Sequence, residues 1–184
     1  PQMSVGLLLD ESGSMCSCDR CTYARSSAII LYDFCKALHI PVTVYGHSTS
    51  GSSVELYSYA EFESIDNDDK YRLMDIAARG SNRDGAALRF VAEQLVKRPE
   101  EVKILILVSD GQPAAPGYYG SAAEEDLRGI KQEYRRKGVL FIAAAIGEDK
   151  QNIERIYGDS FMDITDLNQL PVKLTAAVKR HMRV

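Results

Sequence analysis

The stretch SVGLLLDESGS, residues 4–14, runs an apolar segment of strand length straight into a carboxylate and two hydroxyls. A continuous apolar run, unlike an alternating one, suits a strand covered on both faces. Both faces are covered where helices cross over between parallel strands. After Asp10 come Ser12 and Ser14, with Gly13 between them. Side chains two residues apart in an extended segment point the same way, so Asp10, Ser12 and Ser14 aim at one point while Glu11 faces elsewhere. Gly13 is expected to make the sharp turn between the serines.

Working outward, KILILVSD (103–110) is a second buried strand that ends in an aspartate, and VLFIAAAIG (139–147) is a third apolar strand. Pro41 precedes the β-branched VTVYGHS (42–48), and VELYSYAEF (54–62) follows across a Gly/Ser loop, a spacing that predicts an antiparallel neighbour. Helical patterns cover 22–38, 69–78, 85–97 and 123–138, the last closed by Gly138. A helix near 150–157, a short strand at 160–164 and a final helix at 166–182 complete the chain. This alternation predicts a three-layer α/β sandwich: a mostly parallel central sheet, one antiparallel edge strand, and helices on both faces. With no repeat, low-complexity tract or linker, 1–184 reads as a single domain, and its abrupt start as a C-terminal fragment of a longer protein. Ligands of open α/β sheets bind outside the carboxyl ends of the strands. Asp10 and Asp110 both lie at such ends, so they are expected to meet in space.

The 184 residues carry a formal net charge of -4, which excludes nucleic acid as the main partner, because phosphate binding needs a basic face. No apolar stretch reaches the roughly 20 residues needed to span a bilayer, and no basic-then-apolar leader opens the chain. A cytoplasmic protein without a membrane partner is the expectation. Cys35 falls on an apolar helical face as a buried thiol. Cys16, Cys18 and Cys21, in CSCDRC, lack the fourth ligand of a closed zinc site and read as loop thiols or a labile disulfide. Among the histidines, His39 ends a helix, His181 lies beside Lys179, Arg180 and Arg183 on a solvated basic face, and His47 sits at a strand end where it can line the crevice. Residues 111–126 form the longest irregular stretch near the site, and Tyr118 and Tyr119 are its candidate contact residues.

Asp10, Ser12, Ser14 and Asp110 offer only oxygen donors, the set taken by a hard divalent cation: Mg²⁺, or Mn²⁺ or Ca²⁺. The plainer alternative is that Asp10 and Ser12 cap the following helix. D-x-S-x-S after the first strand, with S-D-G after a later central strand, resembles the metal-ion-dependent adhesion site (MIDAS) of von Willebrand factor A (VWA) domains. The resemblance implies that Asp10, Ser12 and Ser14 gather around the metal and that Asp110 joins mainly through water. A third loop of that family normally supplies a threonine; the corresponding RGSNRDGAAL (79–88) places Asp84 there. A third aspartate favours tight metal binding and repels an incoming carboxylate.

N-x-D-G-x-A-L with SDGxP downstream is similar to the C-terminal VWA domain of CobT-type cobaltochelatase subunits, and also resembles nitric-oxide-reductase activation proteins. This resemblance implies a non-catalytic, metal-dependent module that couples an AAA+ ATPase (MoxR/CobS-like) to a chelatase or other target subunit. Two alternatives stand beside it. One is a Mg²⁺-dependent phosphoryl-transfer enzyme with Asp10 as nucleophile, against which Ser12 stands where a general acid is needed. The other is an adhesion-type VWA binding domain, against which Asp84 and the cysteines speak. No P-loop is present, so ATP hydrolysis would belong to a partner.

Overall fold

The computed structural model describes residues 2–63, 68–111, 113–145 and 149–181. In chain order the elements are β1 (Met3–Asp10), α1 (Arg20–Ala37), β2 (Val42–Ser50), β3 (Ser53–Ala60), α2 (Asp69–Arg72), α3 (Asp84–Val96), β4 (Val102–Val108), β5 (Ala114–Ala115), β6 (Tyr118–Tyr119), α4 (Gly120–Arg136), β7 (Val139–Ala145), α5 (Lys150–Tyr157), β8 (Phe161–Asp163) and α6 (Leu170–His181). The main sheet has the order β3-β2-β1-β4-β7-β8, and every pairing is parallel except β2 with β3. The expected mostly parallel α/β sandwich with an antiparallel edge strand is what forms.

The apolar runs explain the layering. Along β1, Val5, Leu7 and Leu9 enter one core with α1, α6 and the segment around Leu73 and Ile76. Leu8 faces the other, built with α3, α4 and α5. On β4, Ile104, Ile106 and Val108 divide in the same way from Leu105 and Leu107. A Cβ added to Gly6 would lie 2.8 Å from Val91 Cγ1, so α3 rests directly on β1 at this glycine. The two central strands thus carry no polar face, which is why their sequences do not alternate.

Three expectations change. The helix read over 69–78 is only α2 followed by a 3-10 turn, Leu73–Asp75. Beyond it the backbone leaves the helix to bond elsewhere. Ile76 O accepts from Arg25, Ala77 N donates to Glu11 Oε1 at 2.9 Å, and Arg79 N donates to Glu11 O at 2.6 Å. The stretch read as irregular over 111–126 contains the short β5–β6 hairpin, and α4 already begins at Gly120. Asp110 lies two residues beyond β4 instead of closing it, and Gly111 then takes a left-handed φ of 70° that turns the chain away. Residues 146–147 of the third expected strand, residue 182 of the last helix, the His181 side chain and Arg183 lie outside the described residues.

At the far edge Asp163 clamps β8 to its surroundings. Its carboxylate receives Lys150 Nζ at 2.6 Å and Thr165 N at 2.9 Å. Burial alone would raise this carboxyl, but the Lys150 and Thr165 hydrogen bonds outweigh it and hold it at about 2, below the ordinary 3.8. A carboxyl depressed by folding contributes stability above its unfolded pKa and loses it as pH falls through the folded one. Asp163→Asn should therefore lower the urea midpoint at pH 6. The gap between variant and parent should close as pH falls from about 4 to 2. A gap that stays constant across that window would remove the clamp.

Candidate metal centre

The register of the sheet sets the site. Asp10, the last residue of β1, pairs with His47 on β2, and Leu9 pairs with Val108 at the end of β4. The loops after β1 and β4 therefore start side by side, next to His47 within β2. Asp10 is buried to 1% exposure, and both its oxygens are engaged. Oδ1 accepts from Ser12 N at 2.8 Å. Oδ2 accepts from Asn82 Nδ2 at 2.8 Å and from Ser109 Oγ at 2.9 Å. One carboxylate thus ties the 10–14 loop to the loop before α3 and to the loop after β4.

Ser12 Oγ and Ser14 Oγ lie 3.0 Å apart, as the two-residue spacing implied. Ser12 is buried and Ser14 exposed, so the hydroxyl pair leads from the interior to the surface. Gly13 does not make the turn by a left-handed φ; it opens a 3-10 turn, Gly13–Cys16, and its N–H donates to Gly80 O at 2.6 Å. Of the two residues in the capping alternative, Ser12 makes no side-chain cap bond, whereas Asp10 Oδ1 accepts from the Ser12 backbone N–H. Arg20 holds the loop from outside, donating to Ser14 O at 3.1 Å while its Nε and Nη2 engage both oxygens of Asp149.

Asp84 is the first residue of α3 and is buried to 1%. The N-cap of that helix is Arg83, which makes no side-chain cap bond. Asp84 Oδ1 lies 2.9 Å from His47 Nε2, and that histidine is fully buried. The two side chains form an ion pair when the imidazole is protonated. Burial opposes charge on His47, but Asp84, then Asp10 and Glu11, outweigh it and raise the imidazole pKa. Burial, and then the charge of Asp84, raise Asp10 in turn. Asp110 is fully buried at the same edge, within electrostatic reach of Arg20.

Glu11 does face elsewhere, as the alternation predicted. It is buried, accepts from Tyr59 Oη at 2.7 and 2.9 Å and from Ala77 N, and pairs with Arg79 at 3.4 Å. Burial raises its carboxyl despite these bonds. A Cβ on Gly46 would sit 1.6 Å from Glu11 Oε2, so β2 is glycine where Glu11 crosses it. Asn82, Ser109 and the His47–Asp84 contact were not singled out from sequence. The signal for two of them was adjacency: Asn82 and Ser109 stand one or two residues from a chosen aspartate.

The donor chemistry fits a hard cation. Asp10, Glu11, Asp84 and Asp110 are buried to 1% or less at this edge, and His47 is the buried histidine beside them. Such a surplus of buried negative charge is costly without compensation. Among the described residues, no group of three or more His, Cys, Asp or Glu is placed to hold a metal by itself. Any oxygen donor set at this edge would have to draw on the hydroxyls of Ser12 and Ser14 as well. Cys16, Cys18 and Cys21 are free thiols, the first two exposed. Cys35 is buried, and burial pushes its thiol up to about 12. Tyr118 packs down onto Asp126 at 2.8 Å, whereas Tyr119 is 68% exposed.

A family model described as "Cobalamin biosynthesis protein CobT VWA domain" matches residues 71–182, more than half of the chain. The chain belongs to the CobT-type VWA family. This CobT-type domain is 26% identical over 188 residues to YojO of Bacillus subtilis, covering 95% of the chain and 29% of that protein. It is 34% identical over 97 residues to Protein NorD of Brucella suis, covering 51% of the chain and 15% of NorD. The chain thus spans less than a third of these relatives' lengths. Among solved structures, it resembles proximal thread matrix protein 1 from the mussel byssus with a zinc-occupied MIDAS motif. The TM-score is 0.65 at 21% identity, over 96% of this chain and 47% of that one. It also resembles the SpRpn10 VWA domain, with TM-score 0.62 and 14% identity over 92% and 95% of the two chains. These likenesses establish the VWA fold. No helix among the described residues is long and apolar enough to cross a membrane.

The Gly46–Glu11 contact generates a test of how the CobT-type domain fixes its first site loop. Gly46→Ala should cost about 1–3 kcal/mol by overpacking. In a Glu11→Ala background the same substitution should cost clearly less, as read by urea denaturation of all four chains. Equal costs in both backgrounds would mean that Glu11 is not what excludes the methyl group.

Proposed function

We propose that this domain is a non-catalytic, metal-dependent interaction module of the MIDAS type. It would couple an AAA+ ATPase (MoxR/CobS-like) to a chelatase or enzyme-activation target; membership of the CobT-type family and the likeness to NorD support the chelatase or activation part of this reading. The observation that carries the reading is the buried Asp10 carboxylate knitting three loops together beside the Ser12–Ser14 hydroxyl pair. Asp10, Ser12, Ser14 and Asp110, with Asp84 behind them, are the residues that would hold Mg²⁺, or Mn²⁺ or Ca²⁺. The bound cation would supply an electrophilic point for a partner's oxygen ligand. The chain's own residues orient the donors.

Asp84 changes the character of such a site. Its carboxylate stands where adhesion-type domains use a neutral hydroxyl, and it is matched by His47 instead of by solvent. This disfavours capture of an acidic side chain by electrostatics. The phosphoryl-transfer alternative is weakened because Ser12 stands two residues after Asp10, where a general acid is needed.

Isothermal titration should show Mg²⁺ and Mn²⁺ binding to the parent and none to Asp10→Asn, and divalent ions should raise the parent's melting temperature. Retention of the ATPase in a pull-down should require the divalent ion and Asp10. A parent that binds neither ion would end the metal reading.

Asp84→Thr separates charge from architecture. It should weaken Mg²⁺ binding and also cost about 3 kcal/mol, because it leaves His47 buried without its partner. Adding His47→Gln should recover much of that stability without restoring metal affinity. Unchanged metal affinity in Asp84→Thr would confine Asp84 to its pairing with His47.

A further inference from the structure

The segment between Ser14 and α1 carries three thiols that the metal site does not use. Cys16 closes the 3-10 turn that holds Ser14, and Cys16 and Cys18 are exposed. Cys21 is the second residue of α1 and is half-buried. All three are free. The chain folds back sharply here: Arg20 N donates to Ser17 O at 3.1 Å, and Cys18 and Asp19 both take left-handed φ values, 55° and 57°. Two consecutive non-glycine residues in that region are conformationally costly. Cys16 and Cys21 lie within electrostatic reach of one another. Cys18 and Cys21 stand in a C-x-x-C spacing at a helix start, which is a redox-active arrangement elsewhere.

Cys21 also faces the second site loop. Its Sγ lies 3.7 Å from Ile76 O, as a donor. From Ile76 the backbone continues through Ala77 and Arg79, both bonded to Glu11, and Gly80, bonded to Gly13, to reach Asn82 and Asp84. One thiol therefore touches the segment that delivers Asn82 and Asp84, and its neighbour Cys16 ends the turn that delivers Ser14.

We propose that Cys16, Cys18 and Cys21 form a reversible thiol–disulfide switch in which Cys21 bonds one of the two exposed thiols and loosens both site loops. The oxidant is a peroxide. The exposed thiolate attacks the O–O bond of hydrogen peroxide, giving a sulfenic acid and a hydroxide that takes up the proton the thiol had lost and leaves as the first water. The Cys21 thiol then displaces the second water as the S–S bond forms, so the sulfurs lose two electrons and the peroxide gains them. Bonding Cys21 removes its donor from Ile76 O and pulls the start of α1 toward the 3-10 turn. Its consequence for metal affinity rests on the site proposed above; the disulfide and the loosening do not.

The parent, Cys21→Ser and Cys35→Ser chains are treated with hydrogen peroxide or with dithiothreitol. Peptide mapping after alkylation should find a disulfide containing Cys21 in oxidised parent and Cys35→Ser, reversed by dithiothreitol and absent from Cys21→Ser. Hydrogen exchange over residues 76–84 should quicken on oxidation of the parent and stay unchanged in Cys21→Ser. Titration with Mg²⁺ should show several-fold weaker binding by oxidised parent. A disulfide that excludes Cys21, or none, overturns the switch, as does a Cys21 disulfide that leaves exchange over 76–84 unaltered. If the reduced parent binds no Mg²⁺, the metal reading fails, and the exchange result still decides the switch.

Discussion

The carboxylate of Asp10 is the constraint around which the upper edge of this molecule is arranged. It is buried at the end of β1 with three donors, one from its own loop, one from Asn82 and one from Ser109. A buried anion that lost these partners would be left with a large desolvation penalty, so the three loops must close together or not at all. Its neighbour Glu11 repeats the arrangement one residue on and toward the opposite side. It draws Tyr59 of β3 and the backbone of residues 77 and 79 onto the same strand end.

Such a centre makes the domain's rigidity and its chemistry the same problem. The hydrogen bonds that orient Asp10 are those that set where Ser12, Ser14 and Asp84 stand. The two apolar cores below hold the strand ends in register, because parallel neighbours buried on both faces cannot slip without exposing their side chains. What the cores cannot supply is charge balance. His47 supplies part of it through Asp84, and a bound dication would supply more.

Much of this was legible from residue types and spacing. The apolar runs ending in Asp10 and near Asp110 marked the central strands, because only strands covered on both faces dispense with alternation. The serines two residues apart marked the hydroxyl pair, because backbone pleating sends them one way. The helix expected over 69–78 failed for a reason outside its own sequence. Glu11 and Arg25 offer its backbone better partners than a continued helix does.

By itself, then, the sequence determined the strand order's raw material, the oxygen chemistry of the edge and the turning of Glu11 away from Asp10, Ser12 and Ser14. Each depends on residue identity and on distances of one to four residues along the chain. Only the tertiary structure decided that Asp84 faces His47, that Asn82 and Ser109 both bind Asp10, and that Gly46 must yield space to Glu11. These are meetings between residues tens of positions apart. Their distances follow from how helices seat on the sheet and how strands align, and a local pattern carries no record of that alignment.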